Sequence, residues 1–303
     1  MTLPVELVQM VAEFLPASDK AALALSCHRL YYIIGRSWSP LEGEDKKAFL
    51  TILQKDLPDL YLCQACVQFH GFPKDAGPRN GILDFSKPNT ACKLKYRMSG
   101  FGHDYYMSFY QIHLVMNRHF FWPTHGIPLN ALAKAHTFTW PSGFTIKEAW
   151  RPKILGNELF LAVTYHFYHK DGNRNMRKYI DGQIFDICRH LRTDYVRPWR
   201  STPRVPELVG CRLEGDSDSN SYECYGETNY CRFCLTDYEV IIRDLGVKGW
   251  WIVINTWHQL GSGRTPHDPI WMSFIQPTFR CKPVLREPGS IRRTYENAEG
   301  FLS

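Results

Sequence analysis

Four of the ten cysteines in this 303-residue chain stand as two Cys-x-x-Cys pairs, Cys63-Gln64-Ala65-Cys66 and Cys231-Arg232-Phe233-Cys234. Two thiolates three positions apart can grip one zinc from a tight turn whose amides stabilise the sulfurs, and a structural zinc takes four ligands in a tetrahedron. Two such knuckles supply four, so the leading expectation is one structural zinc held by Cys63, Cys66, Cys231 and Cys234. The separation of 165 from Cys66 to Cys231 exceeds the usual spacing of such sites, so loop closure does not favour this set over local ones. His70 and Cys92 are alternates beside the first pair, and Cys188 and Cys224 are further alternates. Of the twelve histidines, His70 and His190 are kept as candidate ligands. The competing readings are reduced thiols packed as small hydrophobes and a redox pair. A thioredoxin-like pair sits at a strand-to-helix junction, whereas here a helix precedes the first pair and a strand follows the second.

Composition sets the frame for that chemistry. With 44% hydrophobic, 14% aromatic and 22% charged residues, the chain reads as globular, not collagenous, coiled-coil or disordered. Its length suffices to bury a large core, so it needs no disulfide staples. The longest apolar run, Trp250 to Ile254, is far short of the ~18 residues of a membrane span, and the N-terminus lacks a signal-peptide layout. The expected location is therefore cytoplasmic or nuclear, with cysteines as thiols or metal ligands. The net charge of +6 is uneven. Residues 1–60 hold six Lys/Arg and eight Asp/Glu, which leaves 30 against 22 for residues 61–303. Dense basic stretches occur only at Arg189 to Arg204 and Arg280 to Arg293, a weak case for nucleic acid.

The first sixty residues read as short helices. Pro4 fits a first turn, Glu6 sits where the helix dipole favours an anion, and Leu7, Val8, Val11, Phe14 and Leu15 form a stripe. Pro16 stops that helix. Ser18 is expected to cap a second helix through Ala21 to Leu25, and Ser26 a third, in which Cys27 is buried and which Gly35 closes as an αL residue. A fourth amphipathic helix is expected over Asp45 to Leu57. Three helices within about 35 residues cannot enclose all their apolar side chains, so part of the stripe must lie against something else.

The residues Leu3-Pro4-x-Glu6-Leu7, Val11, Phe14-Leu15-Pro16, Leu23, Leu25, Cys27, Arg29, Leu30-Tyr31 and Trp38 carry a resemblance. Residues 2 to about 40 resemble an F-box, the module that docks onto the Skp-type adaptor of cullin-RING ubiquitin ligases. The resemblance implies that Pro4, Leu7, Val11, Leu15, Leu23 and Leu25 face the adaptor or the module's own core, a division the sequence leaves open. Downstream, Tyr61-Leu-Cys63-x-x-Cys66-x-x-Phe69-His70, Val115 to His119 with His125 to Leu129, Ile187 to Leu191, Cys231-x-x-Cys234-x-Thr236-Asp237-Tyr238 and Trp257-x-x-Leu260 to Arg264 with Pro266, Asp268-Pro269 and Trp271 are similar to a group of fungal F-box domain proteins. That similarity implies a fungal source and one continuous region after the box.

The expected fold class is α+β: a three-helix F-box with a linking helix in residues 1–60, then a β-rich, zinc-stabilised region in residues 61–303. Strands are expected at Met107 to Met116, at Leu159 to His169 with a turn at Lys170 to Asn173 and a return strand at Tyr179 to Cys188, and at Tyr238 to Arg243 pairing Trp250 to Thr256. Loops are expected at Pro198 to Pro206 and Glu214 to Glu223. Enzyme signatures are weak: no nucleophile elbow, P-loop or His-Glu-x-x-His is present. Gly261-Ser262-Gly263-Arg264 reads as a turn, and His267-Asp268 as a capped turn. The function expected from the resemblance is a non-catalytic substrate-recognition subunit of an SCF-type ligase, partnered by the Skp-type adaptor, through it a cullin, and a target protein, without nucleic acid or membrane. The alternative is a zinc-stabilised scaffold or nucleic-acid-binding protein that uses its F-box outside a ligase.

Overall fold

The computed structural model describes residues 3–35, 41–74, 77, 92, 96, 98, 107–169, 186–192, 223–225, 228–244, 250–277, 280 and 282–297. The chain mixes helices and sheet, an α+β protein. It divides into two compact units, Met1–Lys74 with Asn117–Gly126, and Asp75–Met116 with Ile127–Ser303. The expected loops at Pro198 to Pro206 and at 214–222 lie outside the described residues, while Glu223 begins a strand.

In the first unit, prolines punctuate the helices. Pro4 and Pro16 occupy the N-caps of α1 (Val5–Glu13) and α2 (Ala17–Leu25) with extended backbone, so the second proline closes one helix and opens the next. The expected serine caps are not made. Ser18 is buried inside α2, and the Ser26 hydroxyl donates back to Leu23 O at 2.8 Å. Extended Cys27 is the N-cap of α3 (His28–Ile34), and this end position leaves it exposed instead of buried. Gly35 closes α3 in the right-handed region, φ −66°, not in αL. A Cβ there would stand 3.1 Å from the Tyr31 ring, so space, not handedness, favours glycine.

Ala12, Ala24 and Ile34 form the centre of this helical core, with Val8, Leu23, Leu30 and Ile33 packed round it. Alanines at the crossings let the helices approach closely, and burying Ile34 is worth about 2 kcal/mol. The expected fourth helix is α4 (Gly43–Leu53), continued by a 3-10 turn at Gln54–Asp56. Buried Gln54 accepts a hydrogen bond from Leu62 N at 2.6 Å, fixing the turn to β1 (Leu60–Cys63). β1 pairs antiparallel with β2 (Gln68–Gly71), joining Cys63 to Gln68 across the end of the hairpin.

The second unit is built on an antiparallel sheet of β3 (Lys134–Thr139), β4 (Phe144–Leu155), β5 (Glu158–His169), β11 (Trp250–Gly261), β10 (Thr236–Asp244) and β8 (Glu223–Tyr225) in that spatial order. β9 (Asn229–Tyr230) also pairs with β10, while β6 (Asp186–Cys188) and β7 (Leu191–Arg192) form a separate small hairpin. The expected β10–β11 pairing is present, with Val240 opposite Ile254. The expected return strand for β5 is not its partner, because β4 and β11 occupy both edges of β5. Of Tyr179 to Cys188, only 186–188 are described, and they pair with β7. Met107 to Met116 is not a strand: α5 (Phe109–Phe120) runs through it. Tyr110, Ile112, His113, Leu114, Val115 and Met116 are all buried, and a run apolar all round carries no period that separates helix from strand.

Both faces of the sheet are covered. On one, Phe160, Ala162 and Trp257 pack with Ile291 and Tyr295 of α7 (Ser290–Asn297). One residue on, His258 lies opposite Leu161 and meets the ring of Phe274 from α6 (Pro269–Ile275) at 6.1 Å. This two-sided burial explains the nearly continuous apolar run of β5. Asp237, fully buried on β10, accepts from Ile291 N at 2.8 Å and Arg292 N at 3.0 Å at the start of α7, and pairs with Arg286. A strand carboxylate thus satisfies the orphan amides and the dipole of a helix N-terminus. Asp268 caps α6 through Ile270 N at 2.9 Å, the capped turn expected there.

Candidate metal centre

The β6–β7 hairpin carries Cys188 at the end of β6 and His190 in its turn, and the turn joining β9 to β10 carries Cys231 and Cys234. These are tight hairpin ends: Cys188 pairs with Leu191 in the first, and in the second Cys231 N donates to Thr236 O at 2.8 Å and Thr236 N to Cys234 O at 2.8 Å. Each turn therefore aims two donors the same way. One ligand atom from each of the four residues lies within 4.8 Å of every other, and all four residues are at most 1% exposed. Sulfurs bound to one zinc at about 2.3 Å stand roughly 3.8 Å apart, so only a small contraction separates this cluster from a tetrahedral site. It can hold a metal ion.

The surroundings suit a metal. Phe233 N donates to Cys231 Sγ at 3.4 Å, the knuckle contact that spreads thiolate charge into the backbone. His190 Nε2 donates to the carbonyl of Gln276, the C-cap of α6, at 3.1 Å. A carbonyl can only accept, so Nε2 carries the proton and Nδ1 carries the lone pair. Cys234 Sγ lies 3.3 Å from Thr236 Oγ1, which lies 2.9 Å from His258 Nδ1; His258 Nε2 lies 2.9 Å from Thr256 Oγ1, whose hydroxyl donates to Val163 O at 3.4 Å.

Charge is strongly unequal across the sulfurs. Burial first pushes the thiols of Cys188 and Cys234 well up, with a hydrogen bond to Cys231 next for Cys188 and hydrogen bonds to Cys188 and then Cys231 next for Cys234. Hydrogen bonds from Cys188 and Cys234 push Cys231 far down, so one sulfur draws the negative charge while two hold protons. A divalent cation inverts this logic and favours three thiolates. Burial pushes His258 down to about 3, opposed by the charge on Cys231, so this ring is neutral in its relay between the two threonines.

Of the expected set of Cys63, Cys66, Cys231 and Cys234, the second pair joins Cys188 and His190. In the first unit, Cys63 and Cys66 join His70 instead, their donor atoms within 4.8 Å of one another and Cys66 Sγ 3.0 Å from His70 Nε2. The β1–β2 hairpin explains this local set. Its register puts His70 opposite Tyr61, two residues from Cys63, and the left-handed Val67 (φ 53°) turns the chain back onto β1. Cys92 belongs to the second unit, and Cys224 sits in β8 paired to Ile242. Cys188 and His190 are both candidate ligands in the sequence, and the structure joins them. The signal is a Cys-x-His in which Cys188 ends β6 and His190 stands in the two-residue turn that follows it.

The residues carried over from the F-box resemblance separate by exposure. Pro4, Leu7, Val11 and Leu25 are exposed and Leu15 is half-buried, whereas Leu23 packs on the Ala12, Ala24 and Ile34 core. On α1, Leu7, Met10, Val11 and Phe14 point outward while Val8 and Ala12 point inward. Phe14 is 84% exposed. Comparison of the chain with protein-family models, with curated proteins and with solved structures gave no match.

Proposed function

We propose that this protein is a substrate-recognition subunit of an SCF-type ubiquitin ligase, in which the N-terminal helices dock onto a Skp-type adaptor and the sheet unit, stabilised by zinc, holds a target protein. The observation that carries this reading is where the apolar surface lies. Among the described residues, nine of the twelve exposed large apolar side chains fall between Leu3 and Tyr32, so one small module carries most of the uncovered hydrophobic area. Isolated exposed hydrophobes are ordinary, but a contiguous apolar ridge on a helix marks a docking face. That ridge contains Pro4, Leu7 and Val11 of the F-box-like motif, and Leu25 adds to it from α2.

The mechanism is proximity. The adaptor links the helical unit to a cullin, the sheet unit binds the target, and the ubiquitin-charged enzyme then meets the target at a raised effective concentration. The protein's own side chains do no covalent chemistry in this scheme. The test is co-purification of the full chain with a fungal Skp-type adaptor. Leu7→Asp with Val11→Asp, both at exposed positions, should abolish binding without unfolding the protein. Undiminished adaptor binding by this folded variant would refute the reading.

A further inference from the structure

We propose that Cys188, His190, Cys231 and Cys234 form a closed three-sulfur, one-nitrogen zinc centre, with His190 binding through Nδ1, and that this metal pins the β6–β7 hairpin to the β9–β10 turn of the sheet. This rests on the zinc part of the preceding reading, not on adaptor docking.

The donor set selects the metal. Three thiols and one imidazole in a dry pocket suit zinc, whereas magnesium and calcium take oxygen ligands. Four protein donors fill a tetrahedron, so the site is structural and leaves no position for a reacting water. The nitrogen is assigned by His190 itself, whose Nε2 proton is held by Gln276 O, leaving Nδ1 as the donor. The clamp follows from topology. Among the described residues β6 and β7 pair only with each other, yet Ile187, Cys188 and Leu191 are buried. Metal bonds to Cys188 and His190 on one side and Cys231 and Cys234 on the other tie that hairpin to β10, and the Gln276 hydrogen bond adds the end of α6.

The experiment uses the full-length protein, with zinc counted by elemental analysis and cobalt(II) as spectroscopic probe. In a Cys63→Ser, Cys66→Ser variant, one equivalent of metal should remain, with the visible bands of tetrahedral cobalt bound by three thiolates and one imidazole. His190→Cys should retain the equivalent and shift those bands to a four-thiolate pattern, while Cys231→Ser should lose it. Should Cys231→Ser fail to fold, the cobalt spectra of the other two variants still decide. No tetrahedral cobalt in the Cys63→Ser, Cys66→Ser protein, or a spectrum unmoved by His190→Cys, overturns the proposal. Adaptor binding is scored separately, so loss of that function with intact zinc strikes only the F-box reading.

Discussion

The two units handle apolar side chains in opposite ways. The helices of the first unit pack on small residues, Ala12, Ala21 and Ala24, beside Ile34, and place large ones such as Phe14 and Tyr32 outside. The sheet unit buries its large residues, Trp150, Trp271, Tyr165 and Phe274 among them, and gathers its sulfur and imidazole donors in the same interior. A core of alanines supplies little transfer energy, so the first unit has stability to gain from a partner, whereas the second is furnished from within. If this contrast is right, surface changes should cost function in the first unit and core changes should cost stability in the second.

The largest effect should come from the centre of the sheet unit. Asp237→Ala removes the carboxylate that pairs with Arg286 and receives two amides of α7, leaving a buried cation and orphan donors. We expect a loss of about 3–5 kcal/mol, read as a lowered denaturant midpoint, with adaptor binding retained. A midpoint within the error of wild type would show that water replaces the carboxylate and that α7 is not anchored there. Next, Ile34→Ala should destabilise the helical unit by about 2–4 kcal/mol, since it deletes the one large side chain at the centre of that core. Val11→Asp, at a 53% exposed position, should change stability by less than about 0.5 kcal/mol. Equal losses for the two substitutions would erase the distinction between core and face.

Acid sharpens the comparison further. His113 on α5 is buried, with burial pushing its pKa down against a hydrogen bond to Gly263 O at 2.8 Å, and its ring stacks on Phe109. The unfolded chain takes up a proton near pH 6.5 and the folded one only lower, so unfolding gains protons and stability falls as pH drops below about 6.5. Substituting His113→Gln should flatten the acid side of the stability profile of the sheet unit. An unchanged slope would mean that other groups govern acid unfolding.

How much of this was legible beforehand depends on whether local pattern or long-range pairing decides. Proline punctuation and the i, i+4 stripe placed α1 and α2, because such signals act within a few residues. The β10–β11 pair was legible because its strands are close in sequence. Met107 to Met116 misled because burial on every side erases the helical period, and β5 misled because its neighbour came from eighty positions later, not from the adjacent turn. The metal donors show both limits together. Each Cys-x-x-Cys stands out in the sequence, but which pairs of donors converge is decided by sheet register, and no spacing rule encodes the meeting of Cys188 and His190 with Cys231 and Cys234.

The smallest effect tests the other knuckle. Val67 is the only non-glycine residue at positive φ among those described, and a β-branched side chain is poorly suited to that region. The position is forced, because the chain must reverse after Cys66 for Gln68 to face Cys63, and Val67 N donates to Cys63 O at 2.9 Å within that reversal. Glycine removes the steric penalty of about 1–3 kcal/mol but adds about 0.5–1 kcal/mol of unfolded-chain entropy. Val67→Gly should therefore stabilise the first unit by about 1 kcal/mol, measured by chemical denaturation, and leave the sheet unit's metal content untouched. A destabilised variant would show that contacts of the Val67 side chain outweigh its backbone strain, and that the hairpin holding Cys63, Cys66 and His70 is fastened by packing as well as by its turn.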